Sequence, residues 1–258
     1  MPELPDVEGY RRLVAAHFVG LTVRRVEVLD AGVIRNSNAR QFRKTVRGRT
    51  FCRVDRRGKW LVAHMDGPAL VWHFGMTGSL VVVPRAAALD RYDRFILAGD
   101  EDELRYRDMR KLGGVWLAGG GAAIDEIIGP QGPDAWTVSL GDFAGRLRAR
   151  RGAIKPALMD QRVIAGLGNM LSDEVLWSAG VRPARPAAAL DSGEVERLHR
   201  ALRDVLRRSR RAGRIPRTPS WLSSQRDQEQ PICPRCHGQL ERGTLAGRTA
   251  LSCPNCQR

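Results

Sequence analysis

The most explicit chemistry in this sequence is carried by four cysteines. Cys233, Cys236, Cys253 and Cys256 follow the spacing C-x2-C-x16-C-x2-C. Cysteines two residues apart can turn both sulfurs toward one ion, and a returning hairpin brings the second pair. The result is the tetrahedral sulfur cage of structural Zn2+. A module of about 26 residues has too little core to fold alone, so the metal would supply folding energy directly. The rival reading, two disulfides, is disfavoured in a cytoplasmic chain. With all four positions taken by protein, the ion, one per chain, is structural rather than catalytic. The fifth cysteine, Cys52, lies in a β-like run and reads as a small buried hydrophobe.

Four other stretches hold candidate chemistry. The chain opens "MPELPDVEGY", with Pro2 and Glu3 behind the initiator methionine and Asp6 and Glu8 close by. In "IAGLGNMLSDEVLW" two glycines and Asn169 precede a helical run. Free N–H groups at that helix start, aided by the Asn169 amide, make an anion site, although glycines serving a turn alone would look the same. "HFGMTGSL" sets Met76 in a glycine-bounded turn, and "RDMRKLGG" sets Arg110–Lys111–Leu112 in a basic loop between β runs. Apolar and Arg tips on loops can fill the gap left by a base that leaves the stack, although Met and Leu are more often core.

Lys+Arg number 43 against 28 Asp+Glu, a net charge of +15. The excess favours a polyanion, nucleic acid before an anionic membrane. Only four of the cations are lysines: Lys44, Lys59, Lys111 and Lys155. A lysine kept in so Arg-rich a chain marks a place for a compact amine. No apolar run is long enough to span a bilayer, and the start lacks the basic-then-apolar pattern of a signal peptide. Cytoplasmic residence follows by default.

These groups must be held by two kinds of element. Residues 3–19 read as a helix. Short β-like runs follow, from "LTVRRVEVL" to "GGVWLAG", at the spacing of an antiparallel sandwich or barrel. The pattern stops at "GAAIDEIIGPQGPDAW", a Gly/Pro-rich boundary. Helices then dominate: one capped by Ser139, a short one with Pro156 in its first turn, one ending at Gly180, and a long amphipathic one ending at Gly213. The outer face of the last bears Arg200, Arg203, Arg207, Arg208, Arg210 and Arg211, a phosphate-facing stripe or a solvated face. The expected domains are 1–131, 132–222 and 223–258. On the hairpin of the last, Arg242 and Arg248 can reach a phosphate.

Taken together and in order, "MPELPDVEGYRR", "RRGKWL", "HFGMTGSL", "RDMRKLGG", "AIKPALMDQRVIAGLGNMLSDEVLWSAGVRP" and the four-cysteine finger resemble the formamidopyrimidine-DNA glycosylase/endonuclease VIII family over almost the whole chain. The resemblance implies an α+β multidomain fold: an N-terminal antiparallel β-sandwich with an N-terminal helix, a helix–two-turn–helix domain and a C-terminal β-hairpin zinc finger. It also implies a monomer acting on damaged double-stranded DNA, with base excision followed by cleavage of the abasic strand through β,δ-elimination. Pro2, with Met1 removed, would be the amine nucleophile, Glu3 its acid/base neighbour, and Lys59 a phosphate contact assisting elimination. Asn169 and Arg248 would grip phosphates, Met76, Arg110 and Leu112 would fill the void, Lys155 would lie near the cleft, and Glu174 would position the terminal amine or the helix turn.

The chain departs from the family at Asp6, where many relatives have glutamate, and at Leu112, where purine-specific relatives often have phenylalanine. The linker from Arg214 to Ile232 is shorter than the lid of relatives that excise 8-oxoguanine, unless "SWLSSQ" is a shortened lid. Formamidopyrimidines, oxidised pyrimidines or bare abasic sites are therefore the expected substrates. The competing readings are a non-catalytic zinc-finger DNA-binding protein on the same scaffold and an RNA-binding zinc ribbon.

Overall fold

The structure is a computed structural model describing residues 1–258. It divides into two units, one comprising Met1–Pro2 and Asp6–Pro130, the other Glu3–Pro5 and Gln131–Arg258.

The first unit takes α1 (Leu4–His17) from Asp6 onward, and its Val7 and Val14, seven residues apart, are fully buried. The strands are β1 (Arg25–Val28), β2 (Phe51–Arg57), β3 (Trp60–Met65), β4 (Ala69–His73), β5 (Ser79–Pro84), β6 (Asp93–Ala98), β7 (Asp102–Arg107) and β8 (Gly114–Ala118). They form two antiparallel sheets, ordered β1-β6-β7-β5 and β2-β3-β4-β8. One core joins their inner faces: Phe95, Leu97, Leu104 and Tyr106 from the first, Leu61, Ala63, Leu70 and Trp72 from the second. This is a sandwich. Val62 and Val71, the alternate residues of β3 and β4, point the other way. They pack with Ile124 and Ile128 of α3 (Gly121–Ile128).

Two short helices are not legible as expected. α2 (Ala39–Val46) starts at an Asn38 cap and buries Phe42 and Val46. α3 occupies the stretch read as a boundary, its two buried isoleucines hidden between glycine flanks. Cys52 is a correction: it is exposed. The register of β2 against β3 shifts between Phe51 and Arg53, so a bulge leaves Cys52 and Arg53 both outward while Phe51 stays in the core.

In the second unit α4 (Leu140–Arg148), α5 (Ile154–Met159), α6 (Asn169–Ala179) and α7 (Ser192–Ala212) enclose a core that includes Phe143, Leu158, Leu171, Leu198 and Leu202. Asp191 and Glu194 form a capping box at the start of α7, and Gly213, at φ +63°, ends it. A hairpin of β9 (Glu241–Leu245) and β10 (Arg248–Ser252) follows, turning on Ala246 and Gly247, both at positive φ. No helix is long and apolar enough to cross a membrane.

Candidate active site and nucleic-acid interface

The start of α6 is an anion site, and its anion is the chain's own Glu3. The Glu3 carboxylate accepts from the backbone N–H of Gly168 (2.7 Å), Met170 (2.8 Å) and Leu171 (3.1 Å). The N–H groups left unpaired at a helix start, and the positive end of its dipole, favour a carboxylate there. The glycines make the approach possible. A Cβ on Gly168 would lie 2.4 Å from Glu3 Cδ, and one on Gly166, already at φ +111°, 2.5 Å from Leu4 Cδ1. The Leu4 N–H donates to the Gly166 carbonyl at 3.1 Å. Residues 3 and 4 are thus seated on the turn before α6, and Pro2 follows directly along the chain. Asn169 opens α6 with a buried Oδ1 that has no hydrogen-bond partner within the chain. Asp6 and Glu8 belong to the other unit, where Glu8 accepts from Arg11 and Arg12. Burial works against its ionisation, but Arg11, Arg56 and Arg12 hold it below the ordinary carboxylate range.

Behind Asn169 two adjacent carboxylates of α6 face inward. Asp173 forms an ion pair with Lys155 Nζ at 2.7 Å and accepts from Arg226 at 2.7 Å. Both cations also donate to the Thr249 carbonyl, at 2.5 Å and 3.1 Å, and Leu251 N–H donates to Asp173 at 3.3 Å. Lys155 is fully buried. It therefore meets β10 rather than solvent. Burial presses the Lys155 pKa down and the Asp173 pKa up, each partly offset by the other's charge. Glu174 accepts from the N–H groups of Leu222 (3.2 Å) and Ser223 (3.0 Å). Burial raises its pKa to about 7 in spite of those bonds.

The Arg214–Ile232 linker is consequently stapled to α6. Trp221, Leu222 and Ser223 are buried, and Arg208 stacks 4.4 Å over the Trp221 ring. "SWLSSQ" is part of the packed unit. Arg242 bonds to the carbonyls of Arg226 and Glu229, so it holds the linker. Arg248, at the hairpin tip, is exposed.

In the first unit the turns carrying Met76 and Arg110–Leu112 lie against each other. Gly75, at φ +55°, would place a Cβ 2.5 Å from Gly113 N. Asp108, fully buried, ties them by accepting from Thr77 Oγ1 (2.5 Å), Tyr106 Oη (3.1 Å) and Gly113 N (3.2 Å). Arg110 reaches Met76 Sδ at 3.0 Å. Met76 and Leu112 stay exposed, at 36% and 55%, as does Met109 at 51%. Apolar side chains held out on a braced platform suit insertion between bases. Lys59, half-buried after the β2–β3 turn, lies near His73. Burial first, then the Lys59 charge, lowers the His73 pKa to about 4, so its imidazole is neutral at neutral pH. Sequence reasoning missed Asp108 and His73. Both fall inside the quoted motifs "RDMRKLGG" and "HFGMTGSL", where an acid and a ring carry no local sign of their role, and only the fold shows what they face.

The four cysteine sulfurs lie within 4.8 Å of one another. The Cys233–Cys256 and Cys236–Cys253 pairs are 3.9 and 3.5 Å apart. A tetrahedral cage with bonds of about 2.3 Å has edges of about 3.8 Å. The donor set fits one metal ion. The buried apolar side chains packed with it are Trp177, Leu222, Leu240 and Leu251, a small core of the kind that a bound ion ordinarily supplements.

Comparison with known proteins decides what these parts belong to. Residues 1–115 match the formamidopyrimidine-DNA glycosylase N-terminal domain, and residues 129–218 its H2TH domain. A formamidopyrimidine-DNA glycosylase of Roseiflexus sp. is 36% identical, with both chains fully covered, and one of Symbiobacterium thermophilum is 35% identical over all of this chain and 89% of its own. The chain belongs to the formamidopyrimidine-DNA glycosylase family. Among solved members of that family, Lactococcus lactis Fpg bound to abasic-site-containing DNA superimposes with a TM-score of 0.88 at 28% identity, each chain fully covered. A MutM structure with carbocyclic 8-oxo-G containing DNA gives 0.89 at 27%, again over both full chains. The sandwich, the helical unit and the cysteine-bearing strand pair are the fold of this family.

Proposed function

We propose that Pro2, freed by removal of Met1, is the nucleophile of this glycosylase. The enzyme is a base-excision repair DNA glycosylase with AP lyase activity. Met1 is 43% exposed and open to removal. The observation that carries the reading is the seat of Glu3. Three N–H bonds fix the residue after Pro2 at the start of α6, beside Asn169. An amino terminus is ordinarily mobile; this one is oriented, and an α-amino group, with a pKa of roughly 7.7–8.0, is partly neutral near pH 7.

In the proposed sequence the Pro2 nitrogen lone pair attacks C1′ of the damaged nucleotide, and the base departs with the glycosidic electron pair and a proton. Loss of the ring oxygen gives an iminium that has no N–H to lose. It draws electrons from the C2′–H bond as the 3′ phosphate leaves, then drives the second elimination at the 5′ side. Water hydrolyses the adduct and restores the amine. Glu3 exchanges protons at the sugar, and Lys59 contacts phosphate. Arg248 and Asn169 hold the flanking phosphates, and Met76, Arg110 and Leu112 fill the space of the extruded nucleotide. Lys155 acts through β10. It and Arg226 fix the Thr249 carbonyl next to Arg248, so Lys155 positions a DNA contact rather than making one. The four cysteines hold one structural Zn2+, which supplies the finger's fold.

The stapled linker supports the expected substrate class: formamidopyrimidines, oxidised pyrimidines and abasic sites ahead of 8-oxoguanine, because a fixed segment cannot close over an extruded base. Damaged duplex DNA is the partner of a monomeric enzyme, and its residence is cytoplasmic, at the nucleoid. Borohydride trapping on abasic duplex tests the chemistry. A covalent adduct lost in Pro2→Gly is expected. Tight binding without any adduct would instead support the non-catalytic binder. Single-lesion duplexes rank the substrates, and 8-oxoguanine as the preferred base would overturn the lesion assignment.

A further inference from the structure

The outer face of α7 is a charged surface that the repair chemistry leaves unused. At 3.6 residues per turn, Arg200, Arg203, Arg207, Arg210 and Arg211 fall within an arc of about 100°. That arc lies opposite the buried Leu198, Leu202, Val205 and Ser209. All five arginines are exposed, and Glu196 is the one acid among them on that arc. They extend over about 16 Å of helix. Mutual repulsion along such a row is a standing cost to the fold.

Contacts on this face order three of the arginines, Arg203, Arg207 and Arg210. Arg203 donates to the Trp136 backbone carbonyl, and Arg210 stacks 4.4 Å over the Trp136 ring. Arg207 pairs with Asp204 at 2.8 Å, while Arg200, Arg203 and Arg211 have no carboxylate within ion-pair reach. Between Trp136, Leu206 and three of the arginines lies a cavity of about 270 Å³. Guanidinium groups that are pre-ordered yet still charged are what phosphate recognition needs, because little side-chain entropy is left to lose on binding. A face that is merely solvated has no use for such ordering.

We propose that this face binds the phosphodiester backbone of a second DNA segment while the lesion site is engaged. The proposal rests on the reading of the chain as a DNA enzyme. A duplex carries one charge per about 1.7 Å of axis, so the arginine row meets a surplus of phosphates along its whole length. Bound this way, the enzyme holds two stretches of DNA and can pass from one to the other.

The test separates the two readings. The protein is first trapped by borohydride on an abasic duplex, which fills the lesion site, and the yield of adduct reports on the repair chemistry alone. The isolated complex is then titrated with a short fluorescent lesion-free duplex. One further duplex is expected to bind, with a log–log salt slope of about −4.5 for the five contacts. Changing the five arginines to glutamine, a good helix former, is expected to cut that affinity at least tenfold. The Arg200→Gln/Arg211→Gln pair, which disturbs no contact of Trp136, is expected to reduce the slope by about 2. It carries the test should the larger variant fail to fold. The proposal is overturned by a trapped complex that binds no second duplex, by binding that the glutamine variants leave unchanged, or by polyglutamate displacing the duplex at equal charge, which would mark an acidic protein as the occupant.

Discussion

At the scale of the residue, burial decides roles that charge alone leaves ambiguous. Lys155 and Arg248 are both cations in family motifs, yet one is fully enclosed and the other lies on the surface. Breaking a buried ion pair strands a charge, whereas replacing both partners with apolar residues does not. Lys155→Met is expected to cost about 3 kcal/mol in urea unfolding, the lower end for such a loss because Arg226 still faces Asp173. Lys155→Met combined with Asp173→Leu should recover part of that loss. A single variant as stable as wild type would show the pair to be dispensable. The same loss should weaken DNA binding more than it slows turnover of bound substrate, since it loosens the strand beside Arg248.

At the scale of the element, α6 organises the helical unit through its start and its inward face. Its start holds Glu3, so Gly168→Ala, which drives a Cβ into that carboxylate, should displace the chain terminus. A shift of about 1 Å at a reacting group can cost 100-fold, and single-turnover excision should fall by about that much while α6 remains folded by circular dichroism. Further along, Glu174 bonds the linker with its pKa raised to about 7. The folded state then binds a proton that the unfolded state, near 4.5, has lost. Its contribution is fully present below about pH 4.5 and disappears as pH rises through 7, worth about 3 kcal/mol at most. Glu174→Gln should flatten this component of the stability–pH curve. An unchanged curve would place the Glu174 pKa in the ordinary range.

At the scale of the whole molecule, an N-terminal sandwich, a helical unit and a four-cysteine hairpin each solve a different folding problem. The first two bury cores of their own. The hairpin leans on Trp177, whose indole N–H lies 3.4 Å from Cys233 Sγ and whose ring lies under Arg235. Chelation should therefore change Trp177 fluorescence and abolish damaged-DNA binding together, leaving most helical signal intact. Fluorescence unmoved by a strong chelator would show a finger that stands without its ion.

Spacing and order along the chain were enough to determine the family, the sandwich-then-helices architecture and the four-cysteine cage, because alternation, turn residues and cysteine spacing are written along the chain itself, and the caps at Ser139, Gly180 and Gly213, because each of these is set by contacts between near neighbours in sequence. α2 and α3 escaped because two buried side chains apiece make too weak a periodicity. Cys52 was misplaced because a bulge breaks strict alternation. Only the tertiary structure decided that the anion at the start of α6 is Glu3, that Lys155 faces β10, that the linker is stapled by Glu174, and that Asp108 braces the turns bearing Met76 and Arg110. Each of these joins residues dozens of positions apart or more, and local propensity carries no record of which distant group will arrive.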